Sequence, residues 1–253
     1  GMHLNKAVRI DGDDKIINAI VIKDFNTWAW IVTVSDGGQI KKTPVSGWQV
    51  ERNSRVMTAM NLPRGVNMVN ACLAYTGQEI LMVSRDGFAY HFALDDIPST
   101  GVKSKGVKSI TLAKGDKAAF GAVIDASAQN VLFMSENGSM KRVKLSEIPS
   151  GNRPIKGSLI CRKLKTNPAK VVYAAEVRPG QQLTFADPEI QTIRAVDIPL
   201  KPRDAGFSSP LVLKEGWQIR AGIEECRIID IPAGAEDTVH DDVEKLSLFD
   251  GEE

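Results

Sequence analysis

Lys41-Lys42 and Lys141-Arg142 stand at matching places in two stretches of this chain, VSDGGQIKKT (34–43) and MSENGSMKRV (134–143). In both, the cations begin three residues beyond a turn glycine. A third stretch, VSRDGFAYHF (83–92), has Tyr90-His91 there, and a fourth, FADPEIQTIR (185–194), has lost the glycine. More cations gather between these stretches: Arg52, Arg55 and Arg64 in the first connection, and Lys103, Lys105 and Lys108 in the second. Arg153, Lys156, Arg162, Lys163 and Lys165 crowd the third, and Arg194, Lys201 and Arg203 begin the fourth. Cations spaced once per repeat do one kind of chemistry well. They neutralise successive phosphates of a polyanion, giving binding that is salt-sensitive and tolerant of sequence.

The residues that make and break covalent bonds are not arranged to do so. His3, His91 and His240 lie in an N-terminal arm, in a repeat position filled elsewhere by Lys42 and Arg142, and in an acidic tail. There is no phosphate-binding glycine loop, nucleophile elbow or HExxH pattern. Asp36, Asp86 and Asn137 recur, but at hairpin tips, where turn chemistry accounts for them. Cys72, Cys161 and Cys226 are far apart, with no CxxC pair. A non-enzymatic chain without metal or cofactor is the expectation.

The elements that must position the cations come from the period. Successive Ser-turn-Gly stretches are offset by about 50 residues, and the segments 55–84, 106–135 and 157–186 lie over one another without a gap. The linkers IPSTGVKSKG (97–106) and IPSGNRPIKG (148–157) match at Ile, Pro, Ser, Lys and Gly. Runs such as AIVIKDF (19–25), WAWIVTV (28–34), EILMVS (79–84), NVLFMS (130–135) and KVVYAAEV (170–177) have the length and composition of strands. Asp86-Gly87 and Asn137-Gly138 are hairpin signals. A period of this size built from short strands predicts an all-β, propeller-like ring of about five four-stranded blades. Five copies of the strand half-unit face only four of the Ser-turn-Gly half. The expectation is a first blade completed by a strand near Arg227 to Ile231.

Net charge is +1 over 253 residues, but it is unevenly spread. Residues 230–253 hold nine acids against Lys245, a charge of −8, which leaves +9 on residues 1–229. A basic body with an acidic, mobile tail predicts a polyanion-binding surface and a segment that competes for it. The domain boundaries expected are a ring over 1–232 and a tail over 233–253. No apolar run reaches the ~18–20 residues that span a bilayer, and no signal-peptide core is visible. A cytoplasmic, nucleoid-associated location is the expectation.

The turn strands SRDGFAYHF (84–92) and SENGSMKRV (135–143), together with IPSTGVKSKGVKSITLAKGD (97–116), resemble the C-terminal domain of the A subunit of bacterial type IIA topoisomerases. This is the β-pinwheel of DNA gyrase and topoisomerase IV, and the likeness covers roughly residues 5–232. The resemblance implies a pinwheel of strand-exchanging blades that bends duplex DNA on a basic outer rim. It implies partnership with the remainder of the A subunit, through which the B subunit is engaged. The rim would draw on Lys41, Lys42, Arg55, Arg64, Lys103, Lys105, Lys108, Lys141, Arg142, Arg153, Lys156, Arg162, Lys163, Lys165, Arg194, Lys201 and Arg203. The Gln-Arg-Arg-Gly-Gly-Lys-Gly box of gyrase is missing; STGVKSKG (99–106) is its nearest counterpart and lacks the paired arginines. That departure favours the topoisomerase IV type over the gyrase wrapping domain. A protein-interaction propeller is the alternative of another class. In the tail, KLSLF (245–249) is similar to the Gln-Leu-Ser-Leu-Phe peptide that docks on the bacterial sliding clamp. Leu246, Leu248 and Phe249 are in place, and Lys245 stands where the glutamine would be.

Overall fold

The computed structural model describes Lys6 and residues 15–52, 56–162, 170–186 and 190–208. Among these the architecture is all β, built on four antiparallel hairpins. They are β1 (Trp30–Ser35) with β2 (Gln39–Pro44), β4 (Gln78–Ser84) with β5 (Phe88–Ala93), β8 (Asn130–Ser135) with β9 (Met140–Lys144), and β12 (Gln182–Ala186) with β13 (Ile190–Arg194).

The repeated Ser-turn-Gly makes each of the first three hairpins by local chemistry. Gly38, Gly87 and Gly138 donate to Ser35, Ser84 and Ser135 carbonyls at 2.9–3.0 Å. Each glycine has φ between 77° and 83°. An i to i+3 bond followed by a left-handed glycine is a type I turn with a bulge, which suits a three-residue hairpin loop. The serine hydroxyl closes the loop from inside: Ser35 Oγ accepts from Gln39 N at 3.1 Å, and Ser84 Oγ from Phe88 N at 3.2 Å.

The first three hairpins are completed by strands from later in the chain. The first sheet has the order β3-β1-β2-β6, where β3 is Met68–Ala74 and β6 is Val107–Lys108. The second is β10-β5-β4-β7, with β7 at Ala118–Asp125 and β10 at Ser158–Leu159. The third is β11-β8-β9, with β11 at Val171–Val177, and its outer edge is a bridge between Met140 and Ser208. Thus the chain leaves a hairpin, runs back to the outer edge of the blade before, and then returns. β7 lies between β3 and β11, so these three strands form the inner side of the array. β6, β10 and Ser208 mark the opposite, outer edges.

The pairings Ser35 with Met68, Ser84 with Ala118 and Ser135 with Val171 set the true repeat register. They make the offsets unequal, so the gapless overlay of 106–135 on 157–186 hides a two-residue shift at the inner strand. The half-units 55–84, 106–135 and 157–186 each carry the inner strand of one blade and the first hairpin strand of the next. The segment at 19–25 is not a strand. Ile20, Ile22 and Phe25 instead cover the free face of the first blade, against Ala29, Ile31 and Val45. A closing strand at 227–231 lies outside the described residues, as does the tail.

The core sits between blades. Val32, Val34 and Ile40 of the first pack on Ile80, Met82, Tyr90 and Phe92 of the second. Leu81, Val83 and Phe120 pack on Val131, Phe133 and Val143 of the third. Leu132, Met134 and Met140 face Leu183, Ala195 and Ile198. Successive residues of β4 and β8 therefore enter different cores. A strand buried on both faces reads as a continuous apolar run rather than an alternation. Each such side chain stabilises the stack by ~1.5–3 kcal/mol.

Candidate nucleic-acid interface

The hairpin cations divide by strand position. Lys41 and Lys141 are wholly buried, and Lys42 is nearly so. Lys41 Nζ donates to the carbonyls of Ala59 and Val102, with Gly101 O at 3.3 Å, and lies over the Trp48 ring. Lys141 Nζ donates to Ile160 O, to Arg203 O at 2.7 Å, to Ala205 O at 2.6 Å and to Pro202 O at 3.4 Å. Tyr90, at the same place in the second blade, donates its hydroxyl to Ser109 O. The position after the turn thus pins the returning linker onto its blade. Lys41 and Lys141 are thereby removed from the rim expected of them, because no phosphate reaches an ammonium enclosed by backbone carbonyls.

The next position ties a blade to its neighbour. Lys42 Nζ donates to Leu94 O at 3.2 Å and approaches Asp95 at 3.6 Å. Arg142 Nε donates to Ile198 O at 2.7 Å and Nη2 to Val196 O at 3.3 Å. Leu94–Asp96 and Ala195–Asp197 are the 3-10 turns of the following hairpins, and Leu94 O, which also accepts from Ile97 N at 3.1 Å, takes the Lys42 bond as a second one. His91 turns instead to Glu79 of its own blade, with Nδ1 at 2.6 Å.

Burial lowers the Lys41 and Lys141 ammonium groups to about 8 and pushes the Tyr90 hydroxyl up to about 12. The carbonyls around each ammonium keep it charged at neutral pH. Between about pH 8 and the ordinary lysine value of 10.5 the unfolded chain holds more protons, so stability rises with pH. Above the ordinary tyrosine value of 10.0 the unfolded chain loses the Tyr90 proton first, so stability falls. Burial also pushes the Cys72 thiol up from 9.0 to about 12, so above pH 9 its contribution falls as well. With all of these effects urea midpoints should peak near pH 10, and a midpoint that falls steadily from pH 8 contradicts them.

Of the connection cations, Lys103, Lys105, Lys108 and Lys156 belong to the outer edges, while Arg64 stands in the turn before the inner strand β3. Arg64, Lys103, Lys105, Lys108, Lys156 and Arg162 are exposed. Lys156 Nζ sits 4.1 Å over the Phe88 ring. Arg153 and Arg203 stitch successive edges: Arg153 Nη1 donates to Lys108 O at 3.3 Å, and Arg203 Nη1 to Leu159 O at 2.8 Å. Lys201 donates to Gly206 O at 3.2 Å, and Arg194 pairs with Asp197 at 2.8 Å. Arg55, Lys163, Lys165 and the clamp-like Leu246, Leu248 and Phe249 lie outside the described residues. On the opposite, hairpin-tip end the cations are matched by acids, as in Lys117 with Asp36 at 2.6 Å and Lys170 with Asp86. Among the described residues no helix is long and apolar enough to cross a membrane.

Strand-exchanged blades with basic outer edges define a class of propeller. The family described as "DNA gyrase C-terminal domain, beta-propeller" matches residues 5–23, 29–47, 78–125 and 129–178, together more than half of the chain, and the chain belongs to it. The A subunit of DNA topoisomerase 4 from Bacillus subtilis (strain 168) is 31% identical over 202 residues, which is 76% of this chain and 25% of the relative. Its Staphylococcus aureus (strain MSSA476) counterpart is 28% identical over 73% of this chain and 23% of its own length. The chain therefore spans about a quarter of these curated relatives. The crystal structure of the C-terminal domain of DNA topoisomerase IV aligns with TM-score 0.76 at 28% identity, over 87% of this chain and 71% of that one. A DNA gyrase A C-terminal domain reaches the same TM-score at 18% identity, over 85% and 72%, and shows the shared fold.

Proposed function

We propose that this chain is a non-catalytic, duplex-binding and DNA-bending part of a type IIA topoisomerase of the topoisomerase IV kind. It presents duplex on its outer edges for strand passage by the remainder of the A subunit, working together with the B subunit. The observation that carries this reading is the placement of exposed cations. Lys103, Lys105 and Lys108 on one edge and Lys156 on the next belong to the returning linkers of successive blades. Arg142, Lys42, Lys41 and Lys141 act inside the fold.

The test is fluorescence anisotropy with two unrelated duplexes of about 30 base pairs across a salt series. Both should bind alike, with log affinity falling linearly with log salt. Lys105→Glu with Lys156→Glu should weaken both duplexes equally. Salt-independent binding removes the phosphate mechanism. Smoothly bending 20–30 base pairs costs roughly 1–6 kcal/mol, so long wrapping needs continuous contacts. Without the gyrase box, supercoil trapping in a topology assay should be slight.

The tail supplies a separate expectation. A charge of −8 tethered to a body of +9 acts at high effective concentration, least screened at low salt. Deleting residues 233–253 should raise duplex affinity about threefold or more at ~0.01 M salt, where the Debye length is about 30 Å. Equal affinities at that salt remove the competition.

A further inference from the structure

The three described outer edges differ in what already holds their cations. On the first blade's edge Lys103, Lys105 and Lys108 are exposed, and their side chains have no partner among the described residues. No acid occurs between Ile97 and Gly115. On the third blade's edge both cations are half-buried and engaged: Lys201 with Gly206 O at 3.2 Å, Arg203 with Leu159 O at 2.8 Å. Acids also crowd that edge. Glu147 accepts from Arg203 N at 2.8 Å, and Asp204 follows it in the chain. The second edge is intermediate. Arg153 is committed to Asp96 O, at 2.9 Å from Nε and 2.6 Å from Nη2, while Lys156 stays exposed over Phe88.

Affinity for duplex comes from cations that displace the counterions condensed on phosphate. An ammonium or guanidinium already donating to backbone carbonyls has fewer donors left to offer. A neighbouring carboxylate lowers the local potential that draws the phosphate in. From this we infer that the grip on duplex DNA is graded along the chain: strongest at the first blade's edge, weaker at the second, and nearly absent at the third. Bound duplex is then held at one end of the described array and leaves the edges before the third blade. The inference rests on the duplex-binding reading and adds to it which blade binds.

The experiment compares salt slopes of the full chain with Lys103→Ala/Lys105→Ala/Lys108→Ala and with Lys201→Ala/Arg203→Gln, each checked for an unchanged circular dichroism spectrum. The first variant should lower the slope of log affinity against log salt by about 3, and affinity on the order of 100-fold at ~0.1 M salt. The second should change affinity less than about threefold. Arg203 also stitches two edges, so a measurement independent of stability is added. A photoreactive benzoylphenylalanine in place of Lys105 should cross-link to duplex, and one in place of exposed Asp204 should not exceed background. Equal losses in the two variants, or equal cross-linking, overturn the gradation while leaving duplex binding intact. No salt-dependent binding by the unaltered chain overturns the reading beneath it.

Discussion

Lys141→Met lowers the stability of the domain by about 3–5 kcal/mol, because it leaves buried backbone carbonyls without their donor. The methylene stem is replaced by a side chain of similar length, so packing is nearly kept. What is lost is the ammonium that serves Ile160, Pro202, Arg203 and Ala205 at once. Each buried carbonyl left without a donor costs about 1–3 kcal/mol, partly relieved where the linker can move toward water. In a domain of this size each kcal/mol moves the thermal midpoint by about 2–4 °C, so a fall of 10 °C or so is expected. Lys108→Met, at an exposed edge, is the control and should leave the midpoint within about 1 °C. The folded fraction of Lys141→Met should still bind duplex, since Lys141 cannot reach it. A destabilisation under about 1 kcal/mol, or a specific loss of DNA affinity in folded protein, would return Lys141 to the rim.

Lys41 and Lys141 mark where local pattern stops informing. In sequence they are indistinguishable from surface lysines, because β2 and β9 mix cations with apolar residues as a half-solvated strand does. Their burial is imposed from a distance, by linkers 60 or so residues away that pass over them. One local signal did exist. The same repeat position holds Tyr90, and Lys and Tyr share an apolar body with a polar tip. That pairing marks a site where a stem is buried and its tip must find a carbonyl. By contrast, the hairpins were legible because Ser35, Ser84 and Ser135 with their glycines make them from contiguous residues.

The strand exchange was legible only through the family resemblance, not in the local pattern. β6 and β10 are two residues long, too short for any alternation to show. Their partners are fixed by where the linker must run, not by their own composition. The segment at 19–25 read as a strand because it has the right residues. Strand composition is a preference for a half-buried surface, and packing on the first blade satisfies it without a ladder. Of the expected rim, the linker cations Lys103, Lys105, Lys108 and Lys156 are exposed on outer edges. The hairpin cations are engaged in joining blades.

The linker glycines show how closely those edges are fitted, and Gly157→Ala measures it. Gly157 has φ +77, and a methyl there would lie 2.4 Å from Ala89 O, a backbone atom that cannot rotate away. Gly106 repeats the arrangement on the first edge, with φ +79 and Ile40 O at 2.6 Å. Gly115 has φ +81 but nothing within 4 Å. Alanine at Gly115 therefore carries only the left-handed backbone cost of about 1–2 kcal/mol. Alanine at Gly157 carries that cost and must also push the linker off β5, breaking the pairing of Ser158 with Ala89 and Leu159 with Phe88. A total on the order of 3 kcal/mol is expected, seen as a lower urea midpoint with an unchanged slope. Amide exchange should quicken at Ile160, whose N–H donates to Gly87 O at 2.8 Å, and not in the first blade. Equal destabilisation by Gly157→Ala and Gly115→Ala would mean that the edge yields freely. The linker would then hang on Arg153, which donates to Asp96 O and Lys108 O, rather than on the close approach of two backbones.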